Sequence, residues 1–381
     1  MHPAPLSEPV WVARPADLRK MCADLARYGQ LAVDTESNGL YAYQEQVCLI
    51  QFSTGETDYL VDSLALSDLS PLGPIFGDPR IEKIFHAAEY DVLCLKRDFG
   101  FQFANLFDTM LAARILGRKE VGLGNLLAAE FDLELDKRHQ RANWGKRPLP
   151  AGMLSYARLD THYLADLRER MAGQLIEMDR LALAEEDFQR MCDLKPAPLQ
   201  TEPDSCWNVA GSRDVTPRQA AALQSLVEFR SRHARYANMP PFKILGNETL
   251  LEIVARMPKT IEDLAGIRGL SSGAIDRLGS DLLLAVERGR QAAPIHAPRN
   301  HRPPEAVVRR LENLRAWRKE AAREMGVESD VILPRETLTT IATENPRGLE
   351  ELAVVMQSLP WRLEHFGAQI LQVLTPKRKT A

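Results

Sequence analysis

Asp34 and Glu36 close an apolar run, Leu31-Ala-Val-Asp-Thr-Glu36. In a strand, residues i and i+2 point to the same face, so the two carboxylates stand side by side. Like charges held that closely at a strand end resist ionisation unless a cation lies between them, and hard ions such as Mg²⁺ or Mn²⁺ suit the position. A strand running out into a solvated acidic turn would carry the same two residues, so the pair needs further acids to mean more. Two later segments supply them. In His86-Ala-Ala-Glu-Tyr-Asp91 a strand feeds a helix. Asp91 there either complements the helix dipole from solvent or faces the first strand. In Tyr156-Ala-Arg-Leu-Asp160 the Tyr and Asp, at i and i+4, share a helical face. A core tyrosine satisfied by a carboxylate would look the same. Four acids are what a two-metal site needs, with ions about 3.5–4 Å apart, one activating a water and the other stabilising the leaving oxygen. Tyr156 would orient that water.

The elements that must position these groups are legible around them. Leu18, Met21, Leu25 and Tyr28 recur at helical spacing over Pro15 to Tyr28, just before the key strand. Val47 to Phe52 and Thr57 to Val61 read as two further strands, giving a hairpin-linked meander of three. Ile81 to Phe85 predicts a fourth strand, Ala87 to Asp98 a helix, and Asn105 to Met110 a fifth strand before another helix from Leu111. This order points to a mixed sheet with helices on its faces. The third acidic segment continues as helix from Pro150, and helical signal runs to about Leu194 before Lys195-Pro-Ala-Pro breaks it.

The three motifs, Asp34-Thr-Glu36, His86-x-x-x-x-Asp91 and Tyr156-x-x-x-Asp160, resemble those of the DEDD exonuclease superfamily. The likeness is to its tyrosine-bearing branch and, within that, to the ribonuclease D family. Val47-Cys-Leu-Ile-Gln51, Leu133-x-Leu-Asp-Lys137, Asn143-Trp144 and Arg147-Pro-Leu extend it over most of residues 10 to 180. The resemblance implies an α/β ribonuclease-H-like exonuclease domain that removes nucleotides one at a time from the 3′ end of RNA, structured RNAs such as tRNA precursors above all. It also implies two divalent ions, Mg²⁺ or Mn²⁺. Asp34 and Asp160 match the ligands of the first, with Glu36 also engaging the substrate's 3′ end; Asp91 matches the position serving the second through water, and Tyr156 the residue that positions the nucleophilic water. A 3′-to-5′ DNA exonuclease shares these motifs, and a non-catalytic RNA-binding scaffold could use the acids for a structural ion. The tyrosine argues against the scaffold.

Between the fifth strand and the third motif, Lys137 to Arg147 interleaves basic residues with a Trp. Arg138, Arg141, Trp144 and Lys146 are candidates for holding a strand by its phosphates and stacking a base; a solvated basic loop over a packed Trp is the alternative.

Beyond the proline-rich stretch the chain repeats itself at an offset of 88 residues: Leu223, Leu226, Phe229 and Arg230 recur as Leu311, Leu314, Trp317 and Arg318, and Glu248-Thr-Leu250 as Glu336-Thr-Leu338. Two small all-α domains follow from that spacing. Both resemble the HRDC domain, which implies auxiliary nucleic-acid binding. Arg230 and Arg318, with Arg232, Arg235, Arg315, Lys319 and Arg323, are candidate phosphate contacts, and Lys377 to Lys379 add a short basic end. The expected organisation is an exonuclease domain over 1–195, a linker over 196–210, and HRDC domains over 211–293 and 300–375.

Composition fits this reading. Residues 1–200 carry 22 Lys+Arg against 30 Asp+Glu, and residues 201–381 carry 26 against 22, so an acidic half precedes a basic one. Five scattered cysteines without C-x-x-C spacing predict neither a disulfide framework nor a zinc site. No basic, apolar leader and no membrane-length apolar run is present, so a cytoplasmic protein without an obligate partner is expected.

Overall fold

The computed structural model describes residues 7–136, 138–197, 205–298 and 303–375. Lys137, residues 198–204 of the expected linker and Lys377 to Lys379 fall outside them. By backbone packing the chain divides into two units. One joins the α/β region to the second helical repeat, and the other joins the first repeat to residues 38–46.

The α/β region is built on a six-stranded mixed sheet: β1 (Val10–Val12), β2 (Gln30–Ser37), β3 (Val47–Ser53), β4 (Asp58–Val61), β5 (Glu82–Phe85) and β6 (Leu106–Asp108), in the order β1-β4-β3-β2-β5-β6. β2, β3 and β4 form the expected antiparallel meander, while β5 and β6 run parallel to β2. β1 lies parallel to β4 and was not expected; three residues are too few to declare a period. Every residue of β3 is buried, as a central strand covered on both faces must be.

Alternation along β2 splits the core in two. Leu31 and Val33 face the layer that holds α1 (Pro15–Leu25), α2 (Gly73–Gly77) and α3 (Glu89–Phe99). Ala32 faces the other layer, with α4 (Thr109–Ile115), α5 (Leu123–Phe131), α6 (Ala151–His162), α7 (Leu164–Glu177) and α8 (Leu181–Cys192). By the same period Asp34 and Glu36 continue the face of Ala32, and Thr35 that of Val33.

The first repeat comprises α9 (Pro217–Tyr236), α10 (Pro241–Ile244), α11 (Asn247–Arg256), α12 (Ile261–Leu264) and α13 (Ser272–Gln291). The second comprises α14 (Glu305–Met325), α15 (Ser329–Ile332), α16 (Arg335–Glu344), α17 (Leu349–Val355) and α18 (Pro360–Leu374). The 88-residue offset carries α10 onto α15 and α11 onto α16 residue for residue, and the first residues of α12 and α13 onto those of α17 and α18. It also carries the left-handed residue Met257 (φ 49°), which ends α11, onto Asn345 (φ 52°), which ends α16. The sequence repeat is therefore a structural repeat down to its caps.

Arg230 and Arg318 are related by that offset, and the structure gives them a different task from the phosphate contact expected of them. Arg230 donates through Nη1 to the carbonyl of Leu245 (3.3 Å) and to Asn247 Oδ1 (2.8 Å); Arg318 donates through Nη1 to the carbonyl of Leu333 (2.8 Å). Leu245 and Leu333 are equivalent residues just past α10 and α15. Each arginine thus satisfies a carbonyl left over where a short helix ends. Arg232, Arg235, Arg315, Lys319 and Arg323 are exposed.

Within the first unit, α18 is bound to α8 by a buried guanidinium. Arg362 is 0 % exposed and reaches Asp187 through Nη1 (3.1 Å) and Nη2 (2.8 Å), Glu186 through Nη1, and the Val331 carbonyl through Nη2 (2.7 Å). Glu186 Oε2 also accepts from the backbone N–H of Trp361 (2.7 Å). With both acids and a carbonyl in place, this buried charge is fully answered.

Candidate active site

β2, β5 and β6 run parallel, and the ends of β2 and β5 open on a common cavity of about 410 Å³. Such strand ends are where α/β sheets place ligands. Asp34, Glu36, His86, Tyr156 and Asp160 all line it. A register shift between Glu36 and Ser37 interrupts the β2–β3 ladder just past the second acid, a device that re-aims side chains at site margins.

Carboxylate oxygens of Asp34, Glu36 and Asp160 lie within 4.8 Å of one another. Asp34 and Glu36 arrive on one face of β2, and α6, packed on that strand and its neighbours, brings Asp160 to meet them. Asp91 stands outside this triad because it approaches from the opposite face. It is buried near the start of α3 and accepts a hydrogen bond from the hydroxyl of Thr35, the residue between the two strand acids. The solvent-facing alternative for Asp91 is thereby removed.

The electrostatics are those of an unanswered negative cluster. Burial, then the charge of Asp160, hold the Asp34 carboxyl well above the usual range. Burial with Asp34, Asp160 and Asp91 pushes Glu36 up to about 10. Burial also raises Asp160, to about 7, although a hydrogen bond from Tyr156 pulls the other way. Asp91 is raised by burial and by Asp34. Among the described residues none of the four forms an ion pair; their side-chain donors are neutral, the Thr35 hydroxyl to Asp91, the Tyr156 hydroxyl to Asp160, and Gln51 Nε2 at 3.5 Å from Asp34 Oδ2. A three-carboxylate, all-oxygen donor set with no protein cation fits a hard divalent ion.

Tyr156 is fixed from below. Trp144, 1 % exposed, packs with Cys48, Leu60, Leu149 and Met153, its ring centroid 6.1 Å from that of Tyr156. That replaces the expected base-stacking role of Trp144: its ring faces are spent on the protein and it forms the wall behind the tyrosine. Arg158 and His162, on the other side of α6, clamp Asp58 of β4 at 2.6 and 2.9 Å. The helix bearing Asp160 is thus pinned to the sheet. Arg138 pairs with Asp136 at 2.5 Å and lines a smaller adjoining cavity with Tyr156; Arg141 and Lys146 are exposed on the same loop.

Sequence reasoning passed over three residues. Thr35 could have been found from its place between the acids. His86 was in view within the second motif but given no role. Asp108, the last residue of β6, accepts from the N–H groups of Ala87, Ala88, Met110 and Leu111 and so fixes the start of both α3 and α4. Only its position before a helix could have signalled that.

A mixed sheet with helices on both faces, an acidic cluster at its strand ends and two trailing helical repeats fit the 3′-to-5′ exonuclease with HRDC domains that the motifs resemble. Family models agree: the 3′-5′ exonuclease model matches residues 9–176, and the HRDC domain model matches residues 219–286 and 308–374. The chain is 30 % identical to ribonuclease D of Acidiphilium cryptum, covering 98 % of this chain and 95 % of that protein. It is 31 % identical to ribonuclease D of Gluconacetobacter diazotrophicus, covering 96 % and 92 %. The crystal structure of Escherichia coli RNase D has the same fold, with a TM-score of 0.71 at 23 % identity over 97 % of this chain and 99 % of that one. The chain belongs to the ribonuclease D family.

Proposed function

We propose that this protein hydrolyses RNA from its 3′ end, one nucleotide at a time, at the Asp34, Glu36, Asp91, Tyr156 and Asp160 site, releasing nucleoside 5′-monophosphates. The observation that carries it is the half-buried triad of like-charged carboxylates with no protein cation beside it. Asp34, Glu36 and Asp160, with Asp91 behind Thr35, would hold two divalent ions, Mg²⁺ or Mn²⁺. Bound there, the ions would supply an activated water and stabilise charge on the phosphate and the leaving oxygen.

The chain's own groups then have distinct tasks. Burial and the neighbouring acids hold the Tyr156 phenol above its ordinary value, so it stays protonated. With its proton directed to Asp160, its oxygen lone pairs are free to accept from a water and fix where that water points. Exposed Arg138, Arg141 and Lys146 would draw the phosphate backbone toward the cavity. The natural substrates proposed are structured RNAs, tRNA precursors with 3′ extensions among them; the Escherichia coli relative is described as an exoribonuclease involved in structured RNA processing. The division into an exonuclease domain over 1–195 and HRDC domains over 211–293 and 300–375 is likewise proposed, the latter as auxiliary nucleic-acid binders. No helix among the described residues is long and apolar enough to cross a membrane, and the proposed setting is the cytoplasm.

The test is a gel assay on a 3′-extended tRNA labelled at its 5′ end, with a DNA strand of matched sequence in parallel. A ladder shortening by single nucleotides, dependent on Mg²⁺ or Mn²⁺ and abolished by chelator, is expected for the RNA. A faster DNA ladder would move the assignment to a DNA exonuclease. Binding without shortening would make the acids a structural site.

A further inference from the structure

We infer that His86 is the residue with which this site reads the 2′-hydroxyl of the terminal ribose, and so distinguishes an RNA end from a DNA end. The inference rests on the exonuclease reading and deepens it.

Placing the Thr109 hydroxyl proton on the Phe85 carbonyl assigns the ring proton of His86 to Nδ1. Its Nδ1 lies 2.9 Å from the hydroxyl oxygen of Thr109, and that same hydroxyl donates to the Phe85 carbonyl at 3.1 Å. Thr109 is fully buried, and a hydroxyl has one proton. With that proton committed to Phe85, Thr109 can only accept from Nδ1–H. His86 is therefore the Nδ1–H tautomer, and Nε2 presents a bare lone pair. Among the described residues Nε2 has no hydrogen-bond partner, and it is not one of the sealed, unpartnered polar atoms of the interior. His86 lines the same cavity as Asp34, Glu36 and Asp160, so its free edge is the edge the cavity can reach. Burial lowers the ring to about 4, which keeps it neutral at working pH.

The backbone behind the ring is held in a costly conformation. Ala87 sits at φ 62°, in the left-handed region that residues with a Cβ avoid, and its N–H is gripped by Asp108 Oδ1 at 3.1 Å. Ala88 N–H is gripped by Asp108 Oδ2 at 2.8 Å. A strained turn clamped by one buried carboxylate, carrying a side chain whose tautomer is locked by another buried residue, aims a single neutral acceptor at the cavity.

A neutral acceptor needs a donor. Phosphate oxygens at a nucleic-acid 3′ end accept and cannot serve. Amino groups on base edges can donate, but they change with every base, and an enzyme that walks through any sequence gains nothing constant from them. Ribose hydroxyls are present at each step. Of the two, only the 2′-hydroxyl is peculiar to RNA. A site built to accept from that hydroxyl leaves Nε2 unpaired when a deoxyribose occupies it.

The test uses the full-length protein with Mg²⁺ and four 5′-labelled strands identical except in the last nucleotide: ribo, 2′-deoxy, 2′-fluoro and 3′-deoxy. Release of that nucleotide is read as kcat/KM. The wild type is expected to favour ribo over both 2′-deoxy and 2′-fluoro by roughly 10- to 100-fold, since fluorine accepts but does not donate. In His86→Ala the ribo to 2′-deoxy ratio is expected to collapse toward one, and His86→Gln, whose carbonyl can accept, to restore part of it. A wild-type ratio near one, a loss confined to the 3′-deoxy strand, or an unchanged ratio in His86→Ala would each overturn the inference. Should His86→Ala fail to fold, the wild-type 2′-fluoro comparison stands by itself, beside ¹⁵N spectra of labelled histidine. There an unprotonated Nε2 at pH 7 is expected and a protonated one would contradict it. Failure of the exonuclease reading is distinct, since then no strand would shorten at all.

Discussion

Asp160, half-buried, and Glu186, buried, are both acids on helices of the same α/β region, yet they live in opposite surroundings. Asp160 meets two more carboxylates and no cation; Glu186, with Asp187, encloses the guanidinium of Arg362. Burial alone is therefore no guide to what a charged group does. An ion cluster whose charges cancel within the protein, as Glu186 and Asp187 do against Arg362 and Arg190, binds one element to another, here α18 to α8. A cluster whose charges do not cancel is unstable by itself, and the missing charge must come from outside. α6 carries both kinds on its two sides, with Asp160 facing the unanswered acids and Arg158 and His162 answering Asp58, whose carboxyl is held below the usual range despite burial by hydrogen bonds from His162, Ser53 and Arg158.

Substitutions on the two sides should separate accordingly. Asp34→Ala is expected to lower turnover by at least about 10³-fold, the loss of several kcal/mol of transition-state stabilisation. RNA binding should stay within a few-fold, measured by filter binding beside single-turnover kinetics. Near-wild-type rates would remove Asp34 from the site. On the balanced side, Arg362→Met leaves Glu186 without a cation and Asp187 with Arg190 alone. It should cost about 3–5 kcal/mol in urea unfolding; a cost near zero would show that α18 does not need this cluster. Tyr156→Phe keeps the ring against Trp144 and deletes only the hydroxyl, so kcat is expected to fall about 10- to 100-fold with little change in KM. An equal rise in KM would mark Tyr156 as a binding group instead.

The smallest effect is on stability against pH, and its sign separates the two clusters again. Unfolded, Glu36 and Asp160 ionise in the ordinary carboxylate range; folded without metal they hold their protons to about 10 and about 7. Between those limits the native state binds more protons than the unfolded one, so stability falls as pH rises. The chelated protein should melt lower at pH 8 than at pH 5.5, by roughly 2–4 °C for each kcal/mol of repulsion. Mg²⁺ or Mn²⁺ should recover more at pH 8. Asp34→Ala, which removes one repelling charge, should flatten the slope. A chelated protein that melts higher at pH 8 would refute the unanswered cluster.

The acids and the strands were legible because each carries a local signal: Asp34 and Glu36 end an apolar run, and Tyr156 and Asp160 keep helical spacing. The 88-residue repeat was legible for the same reason. What escaped was pairing over distance. Arg362 is one of 48 Lys and Arg residues, and nothing around it names Glu186, 176 positions away. Arg230 and Arg318 looked like phosphate ligands because arginine type says nothing about which carbonyl a neighbouring helix leaves unsatisfied. Their recurrence at the repeat offset, each beside the same recurring leucine, was the available sign of a structural role. Trp144 was misread among basic residues because exposure cannot be told from a neighbourhood of lysines. Asp91 remained open until strand alternation put Thr35 on its side of β2.

Counting divalent ions tests the central claim most directly. Mn²⁺ binding to the full-length protein, followed by electron paramagnetic resonance at pH 8 with a nucleoside 5′-monophosphate present, is expected to saturate at two ions. The Asp34→Ala protein is expected to lose the tighter of them. Saturation unchanged by Asp34→Ala, or no binding by the wild type, would contradict the reading of these carboxylates as the metal centre of the reaction.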